Sequence, residues 1–245
     1  MVDDIAATVL VVQNSTDDPP GRVGTWLREA GCVLEVVRGF AGEPVPTNLD
    51  GIDGVVVLGG DMGAYDDATH PWLSATKELL REAVRIELPT LGICLGHQLL
   101  AVATGGAVER VVGDQQGGSC TIVSTAEAAA DPLFVVLRSG SPSVQWNHDV
   151  VSELPPAAVV LARTEAGIQA LRVGPRAWGL QSHPEVDVET VRLWAQEEIE
   201  RRTVAAEVAN RWLADIEAAD QAMVQAWRPV AERFAELVRG FRVST

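Results

Sequence analysis

The chain has 245 residues, 47% of them hydrophobic and 22% charged, a balance that excludes an intrinsically disordered protein. A formal charge of −15 argues against a nucleic-acid or anionic-membrane surface, and no apolar run is long enough to cross a bilayer. Because the segment Met1–Ile5 is acidic and three scattered cysteines do not make a disulfide framework, we expect a cytoplasmic protein.

Strands and helices are predicted to alternate through the first part of the chain. Short β-branched runs indicate buried strands, and the amphipathic segments between them indicate helices. Continuous apolar strands of this kind are typical of a parallel sheet covered on both faces, so we expect a flavodoxin-like α/β fold. The predicted strands are Thr8–Val12, Cys32–Val37, Gly54–Leu58 and Pro89–Ile93, and the predicted helices are about Gly24–Ala30 and Pro71–Ile86.

The pattern changes after Gly105-Gly106, where strand-like runs follow one another with turns and without a long helix. We expect an antiparallel extension of the sheet that ends in one more core strand. That last strand would place the segment Gln181–Glu185 at its carboxyl end. The predicted strands of this region are Ala107–Val112, Thr121–Ser124, Val159–Ala162, Ile168–Val173 and Ala177–Gln181.

The remainder of the chain is predicted to be helical, from Val188 to about Arg239, with Pro229 starting or kinking the last helix. We therefore expect one domain over residues 1–187 and a helical extension over residues 188–245 that packs on it. Its tryptophans suit a buried packing layer. The alternative is a surface for a partner chain or for a homodimer.

The sharpest local motif is Gly92-Ile93-Cys94-Leu95-Gly96, which lies between a predicted buried strand and a helix. It is the cysteine counterpart of the nucleophile elbow, in which glycines allow the backbone to turn tightly and present the reactive side chain. The start of the following helix favours a thiolate through its dipole. Cys94 is therefore a candidate nucleophile, although a buried cysteine that ends a strand would look the same.

A cysteine nucleophile needs a base, and the chain has four histidines. His183 is the preferred candidate because residues two apart in an extended segment face the same way, so that Glu185 can reach its ring. His148, which has Asp149 beside it, is the competitor. His97 is expected to turn into the scaffold, and His70 to belong to the start of a helix.

The elbow followed by Ser182-His183-Pro184-Glu185 resembles the class I (triad) glutamine amidotransferases, in particular stand-alone proteins similar to the amidotransferase domain of GMP synthetase. The resemblance covers about Thr8–Val186. It implies that Cys94 attacks the side-chain amide of glutamine and forms a γ-glutamyl thioester that water hydrolyses. His183 would act as base and then as acid, with Glu185 orienting it.

The same resemblance implies the residues that hold the substrate. Backbone amides of Gly60 and Leu95 would form the oxyanion hole. Gln98 would bind the amino-acid end of glutamine, and Asn147 and His148 would line that pocket. One departure is the acidic loop after Gly59-Gly60, where many relatives have proline.

Several features are absent, and they limit the possible functions. The only lysine, Lys77, follows no glycine loop, so the chain has no Walker A phosphate-binding site. It also lacks the Ser-Gly-Gly-x-Asp-Ser pyrophosphatase loop of the GMP synthetase partner domain. The acceptor of any ammonia would then lie on a separate synthetase chain. We expect no cofactor and no metal, because the ligand-like spacings Cys94-x-x-His97 and His183-x-Glu185 lack a second cysteine pair.

Two other functions stay open. A stand-alone hydrolase of γ-glutamyl peptides or amides would use the same triad, and space for a leaving group beyond Cys94 would distinguish it from an ammonia-producing enzyme. A non-catalytic scaffold or regulatory protein could also keep this fold, but it would not need the three residues of the triad.

Overall fold

The elements of the fold are taken from a computed structural model that describes residues 6–111, 115–156 and 158–241. The helices are α1 (Gly21–Glu29), α2 (Trp72–Arg85), α3 (Leu95–Ala103), α4 (Val188–Arg201) and α5 (Ala206–Arg239). The strands are β1 (Ala7–Gln13), β2 (Cys32–Arg38), β3 (Gly54–Val57), β4 (Thr90–Ile93), β5 (Ala107–Arg110), β6 (Gln116–Ser124), β7 (Ser141–Asn147), β8 (Asp149–Glu153), β9 (Ala158–Thr164), β10 (Gly167–Val173) and β11 (Ala177–Leu180).

In the described part of the chain, nine of these strands form one mixed sheet in the order β2-β1-β3-β4-β11-β10-β9-β6-β7. Neighbouring strands from β2 to β11 in that order are parallel, and the strands beyond β11 are antiparallel. Strands β5 and β8 pair separately. The predicted α/β sheet with helices on both faces, an antiparallel extension and a helical tail is confirmed.

Alternation along the strands divides the core into two layers. Val9 and Val11 of β1 pack into one layer together with residues of α1 and α5. Leu10 and Val12, which point the opposite way, pack with residues of α2 and α3. Since both faces of the sheet are covered by helices, its central strands are apolar throughout, which is the pattern that made them predictable.

Two strands were not predicted. Strand β7 contains Pro142 and two serines, and β8 is short and half-polar, so neither shows a strong apolar period. Strand β6 also begins earlier than predicted, because two glycines and Gln116 stand at its start. The acidic segment Met1–Ile5 and the predicted strand end at Val112 lie outside the described residues.

The chain beyond residue 187 packs on the rest of the protein as two helices. Arg202, with φ +57°, turns the chain between α4 and α5, and α5 runs through Pro229, which therefore does not begin a helix. A Cβ on Gly117 would stand only 2.4 Å from Trp212 Cζ3, so the indole packs directly on this glycine. Trp227 Nε1 donates to Pro142 O at 2.9 Å. These contacts hold α5 against β6 and β7. No helix in the described ranges is long and apolar enough to cross a membrane.

Candidate active site

The candidate site lies where the carboxyl ends of the parallel strands meet, the edge at which open α/β sheets bind ligands. Loops and turns after β1, β3, β4 and β11 border a cleft of about 500 Å³. All the side chains proposed from the sequence for the nucleophile, the base and the substrate pocket line it. They are Cys94, His183, Gln98, Asn147 and His148, with Gly60 beside them.

Cys94 stands between β4 and α3 with φ +50° and ψ −105°, a backbone conformation that costs a non-glycine residue on the order of 1–3 kcal/mol. The turn is tight on both sides. A Cβ on Gly92 would stand 2.4 Å from Gly96 O, and one on Gly96 would stand 2.0 Å from Val57 O. The crowding predicted for the two glycines of the elbow is therefore present, and it presents Cys94 to the cleft.

The imidazole of His183 is held by Glu185, whose Oε1 lies 2.8 Å from His183 Nδ1. Both side chains are buried. The backbone on either side is fixed as well, since His183 N donates to Val144 O of β7 at 2.8 Å and Arg22 N donates to Glu185 O at 2.7 Å. The unpredicted strand β7 and the start of α1 thus position this pair.

The electrostatics of this group favour a protonated imidazole. Burial by itself would lower the pKa of His183, but Cys94 and Glu185 raise it well above its ordinary value through their charges and hydrogen bonds. The cysteine and the carboxylate therefore both act on the histidine.

Gly60, which lines the cleft, lies next to the buried side chain of Leu95. A Cβ on Gly60 would stand 3.1 Å from Leu95 Cδ2. Within the described residues, neither backbone amide donates a hydrogen bond to another residue, as the predicted oxyanion hole requires. The turn that carries Gly60 is fixed by Asn14, whose Nδ2 donates to Leu58 O at 2.8 Å and whose Oδ1 accepts from Trp72 Nε1 at 3.2 Å.

The residues proposed to hold the amino-acid end of the substrate are linked by amide hydrogen bonds. Gln98 Nε2 donates to Asp149 O at 3.0 Å, and Asn147 Nδ2 donates to the same oxygen at 3.1 Å. Gln181, which the sequence did not single out, contacts both sides, because its Oε1 lies 3.3 Å from Gln98 Nε2 and its Nε2 lies 3.7 Å from Cys94 Sγ. Gln98 thereby also fixes the segment after β7.

The two other histidines lie away from the cleft. His97 is fully buried on α3, and burial lowers its pKa to about 4, so that its ring is neutral. The ring packs directly on Gly179, since a Cβ on that glycine would stand 2.4 Å from His97 Nδ1. His70 lies before α2, with its ring edge-on to Trp72 at a centroid distance of 5.1 Å. Both placements agree with the structural roles expected from the sequence.

Two residues of the site were missed. Asp18, in the loop between β1 and α1, lines the cleft beside Cys94 and His183. Trp194 of α4 lines it as well, and its Nε1 donates to Asp17 O at 3.1 Å. The strand order could have indicated Asp18, because the loop after β1 leaves the sheet at the same edge as Gly60 and Cys94.

The pKa of Asp18 is strongly perturbed. Burial raises it to about 7 from its ordinary value of 3.8, and the charges of Glu185, Asp61 and Asp17 add to the rise while His183 opposes it. Oxygens of Asp18 and Glu185 and a ring nitrogen of His183 all lie within 4.8 Å of one another. These three donors could in principle hold a metal ion. Of the donor atoms, His183 Nδ1 is bonded to Glu185 Oε1, whereas His183 Nε2 and Glu185 Oε2 have no hydrogen-bond partner within the described residues.

The acidic loop after Gly60 is anchored by the single lysine. Lys77 Nζ donates to Ala64 O at 3.0 Å and pairs with Asp67 Oδ2 at 2.6 Å. From the same loop, the hydroxyl of Tyr65 accepts a hydrogen bond from Val108 N at 3.2 Å. The loop is therefore a fixed wall of the cleft, and it contributes Asp61 and Asp66 to the lining.

Comparison with known proteins identifies related sequences. A family model described as glutamine amidotransferase class-I matches residues 23–193. The glutamine amidotransferase-like protein YfeJ of Salmonella typhimurium is 31% identical over 170 residues, 68% of this chain and 70% of that protein. The glutamine-hydrolyzing GMP synthase of Porphyromonas gingivalis is 30% identical over 162 residues, which are 65% of this chain but 29% of that enzyme.

Two further similarities extend over more of the chain. Gamma-glutamyl peptidase 3 of Arabidopsis thaliana is 25% identical over 211 residues, 84% of each protein. Among solved structures, a glutamine amidotransferase of Thermotoga maritima superimposes with a TM-score of 0.82 at 26% identity, covering 94% of this chain and 99% of the other. The similarity to that structure therefore includes the helices after residue 187.

Proposed function

This chain belongs to the class-I glutamine amidotransferase family, and on that premise we propose that it hydrolyses the side-chain amide of glutamine through a γ-glutamyl thioester on Cys94. The observation that carries the proposal is the elbow cysteine at the cleft beside a buried histidine–carboxylate pair. Membership of the family supports this chemistry, and the nucleophile, the substrate and the acceptor all belong to the proposal.

In the proposed reaction, Cys94 Sγ attacks the amide carbon, and the thiol proton resides on His183. The oxyanion that forms is stabilised by the backbone amides of Gly60 and Leu95, and losing one such donor typically costs about 2.7–4 kcal/mol of transition-state stabilisation. His183 then protonates the nitrogen as the carbon–nitrogen bond breaks and ammonia leaves. Water attacks the thioester with His183 as base, which releases glutamate and restores the thiol.

Glu185 is a positioning residue in this scheme. Its carboxylate accepts the Nδ1 proton of His183, so the opposite ring nitrogen is directed toward the reacting atoms. Each proton transfer is supplied by His183, and no step requires a cofactor. The ammonia is proposed to pass to an acceptor enzyme on a separate synthetase subunit.

The test is glutamate and ammonia release from glutamine by the purified chain. Cys94→Ala and His183→Ala should abolish it, Glu185→Ala should reduce it, and His70→Ala, a histidine change outside the cleft, should retain it. Full activity of Cys94→Ala would refute the nucleophile. Loss of activity in His148→Ala but not in His183→Ala would show that the wrong histidine was chosen as base.

A second candidate is a hydrolase of larger γ-glutamyl amides or peptides. It is favoured by the size of the whole cleft, about 500 Å³, because a γ-glutamyl amide with a larger leaving group needs more space than glutamine. Residues of α4, including Trp194 and Glu198, contribute to the lining of the same cleft. The similarity to a gamma-glutamyl peptidase over 84% of both chains supports the same candidate. Faster hydrolysis of a γ-glutamyl dipeptide than of glutamine would establish it.

A non-catalytic scaffold is the third candidate, and the backbone of Cys94 argues against it. A positive φ at a non-glycine residue is unfavourable, and such strain is found where a function requires it. A protein that only kept the fold would gain stability from glycine at this position.

A further inference from the structure

Asp18 is a buried carboxylate of the cleft that has no role in the proposed mechanism. Asp18 is 6% exposed, and none of the described residues donates a hydrogen bond to its side chain. It lies next to the catalytic imidazole, since Asp18 Oδ1 and His183 Cε1 are 2.8 and 3.3 Å from the position that a Cβ on Gly59 would occupy. The orientation of His183 is already provided by Glu185.

A buried carboxylate without a partner is unfavourable, because the loss of hydration is not compensated. At Asp18 burial is the main cost, the charge of His183 partly offsets it and the carboxylate of Glu185 adds to it, so that the net effect is a raised pKa. A cation that enters the cleft would relieve this. An ammonium group could do so by donating hydrogen bonds to the carboxylate, which leaves the bond between His183 and Glu185 in place.

The position of Asp18 indicates which part of a substrate it would meet. In the proposed reaction, His183 delivers a proton to the departing nitrogen, so a side chain beside His183 in the cleft is next to the leaving group. With glutamine that group is ammonia. With a γ-glutamyl amide it is an amine, and substituents of that amine extend into the cleft past Asp18.

The rest of the cleft lining is also predominantly negative. In its described lining, seven carboxylates accompany two arginines. One of the arginines, Arg201, is paired with Glu197, one turn before it on α4. An anionic leaving group would be repelled here, and a cationic one attracted, because low-dielectric walls strengthen the field inside a cleft.

Resting on the proposed amide hydrolysis, we propose that the preferred substrate is a γ-glutamyl amide of an amine that carries a second positive charge, with Asp18 pairing with the cationic leaving group. The reaction is balanced as for glutamine: the Sγ–carbon bond forms, the carbon–nitrogen bond breaks, His183 protonates the diamine, and water releases glutamate. Asp18 determines specificity and takes no proton from the reacting atoms.

Three substrates of matched length test the proposal: γ-glutamyl amides of 1,2-diaminoethane, of n-propylamine and of β-alanine. They end in an ammonium, a methyl and a carboxylate group. We expect kcat/KM to fall in that order, with the ammonium substrate at least about tenfold better than the methyl one, the effect of one ionic contact in a cleft. Equal or faster hydrolysis of the propylamide would overturn the proposal.

Asp18→Asn should bring the ratio of kcat/KM between the ammonium and methyl substrates close to one. Asp50→Asn is the matched control: it removes an exposed carboxylate in the turn before β3, at the opposite end of the sheet, and should keep the wild-type ratio. A wild-type ratio in Asp18→Asn would also overturn the proposal, whatever the absolute rates.

Binding to Cys94→Ala, measured by calorimetry, gives a second answer that does not depend on turnover. The ammonium amide should bind most tightly, and binding no tighter than that of the propylamide refutes the role of Asp18. The proposed function is tested separately by glutamine. Cys94-dependent turnover of glutamine without a charge preference would leave that function standing and remove only this inference.

Discussion

The indole of Trp194 meets the imidazole of His183 edge-on, with ring centroids 5.0 Å apart and planes inclined by 67°. The same indole donates to the carbonyl of Asp17, the residue before Asp18. A single side chain of α4 therefore contacts the histidine that we propose as the base and fixes the loop that carries Asp18.

Trp194→Phe should lower kcat on the order of tenfold with little change in KM, because small displacements of a catalytic group are costly while substrate contacts remain. Its pH–rate profile should shift as well, since the surroundings of His183 change. Trp227→Phe is the matched control, because it also loses one indole bond to a carbonyl, that of Pro142, away from the cleft. Equal effects of the two variants on kcat would show that Trp194 only stabilises the fold.

Gly96→Ala should destabilise the protein by about 3 kcal/mol or more. The new Cβ would stand 2.0 Å from Val57 O, and backbone cannot move aside as a side chain can. Denaturant unfolding measures the change. Gly240→Ala, where the closest atom is 3.3 Å away, is the control and should change stability by less than about 1 kcal/mol. Comparable stability of the two variants would contradict the tight elbow.

Alkylation should distinguish the three cysteines. Burial raises the pKa of Cys120 to about 11 and also raises that of Cys32, so both remain thiols at neutral pH. Cys94 faces the cleft beside His183. Peptide mass spectrometry after brief iodoacetamide treatment at pH 7 should find Cys94 modified at least about 100-fold faster than Cys120. Protection by glutamine is expected, and preferential labelling of Cys120 would refute the assignment.

Stability should depend on pH through Asp18. Its pKa is raised from 3.8 to about 7, so the folded state keeps a proton that the unfolded state releases. The destabilisation by the ionised carboxylate is absent below about pH 4, grows as pH rises, and is complete above about pH 7, where it is on the order of 4 kcal/mol. Asp18→Asn should therefore be more stable than the wild type at pH 8 and nearly equal to it at pH 4.

Thermal unfolding at both pH values checks this. Asp50→Asn serves again as the control and should show the same difference from the wild type at pH 4 and pH 8. Destabilisation by Asp18→Asn at pH 8 would mean that the carboxylate has a stabilising partner in the folded protein.

The sequence predicted the parallel half of the fold because its strands are buried on both faces, so each is an apolar run followed by a helix. It also located Cys94, whose flanking glycines are needed by the backbone turn itself. His183 and Glu185 could be paired because two residues in an extended segment point the same way. In each of these examples the physical requirement is local, so a few neighbouring residues in the sequence are enough to recognise it.

No local sequence pattern indicates Asp18 or Trp194 as residues of the site. Their roles depend on the loop after β1 and on α4 arriving at the same place, 176 positions apart in the chain. Strand β7 is similar, because its partners β6 and His183 are distant in sequence and its own residues are polar or proline. Properties that arise from tertiary contact, such as the raised pKa of Asp18, follow only from the assembled sheet.

Because α5 packs on β6 and β7, these strands can be covered only after the last helix has been synthesised. Cys94 leaves the ribosome long before Trp212 and Trp227, which cover the strands that support His183. A nascent chain would expose β6, with the bare backbone of Gly117 and Gly118, until the last helix has emerged. Assembly of the catalytic edge is therefore late in translation, and truncation within α5 should yield an aggregating chain rather than a weaker enzyme.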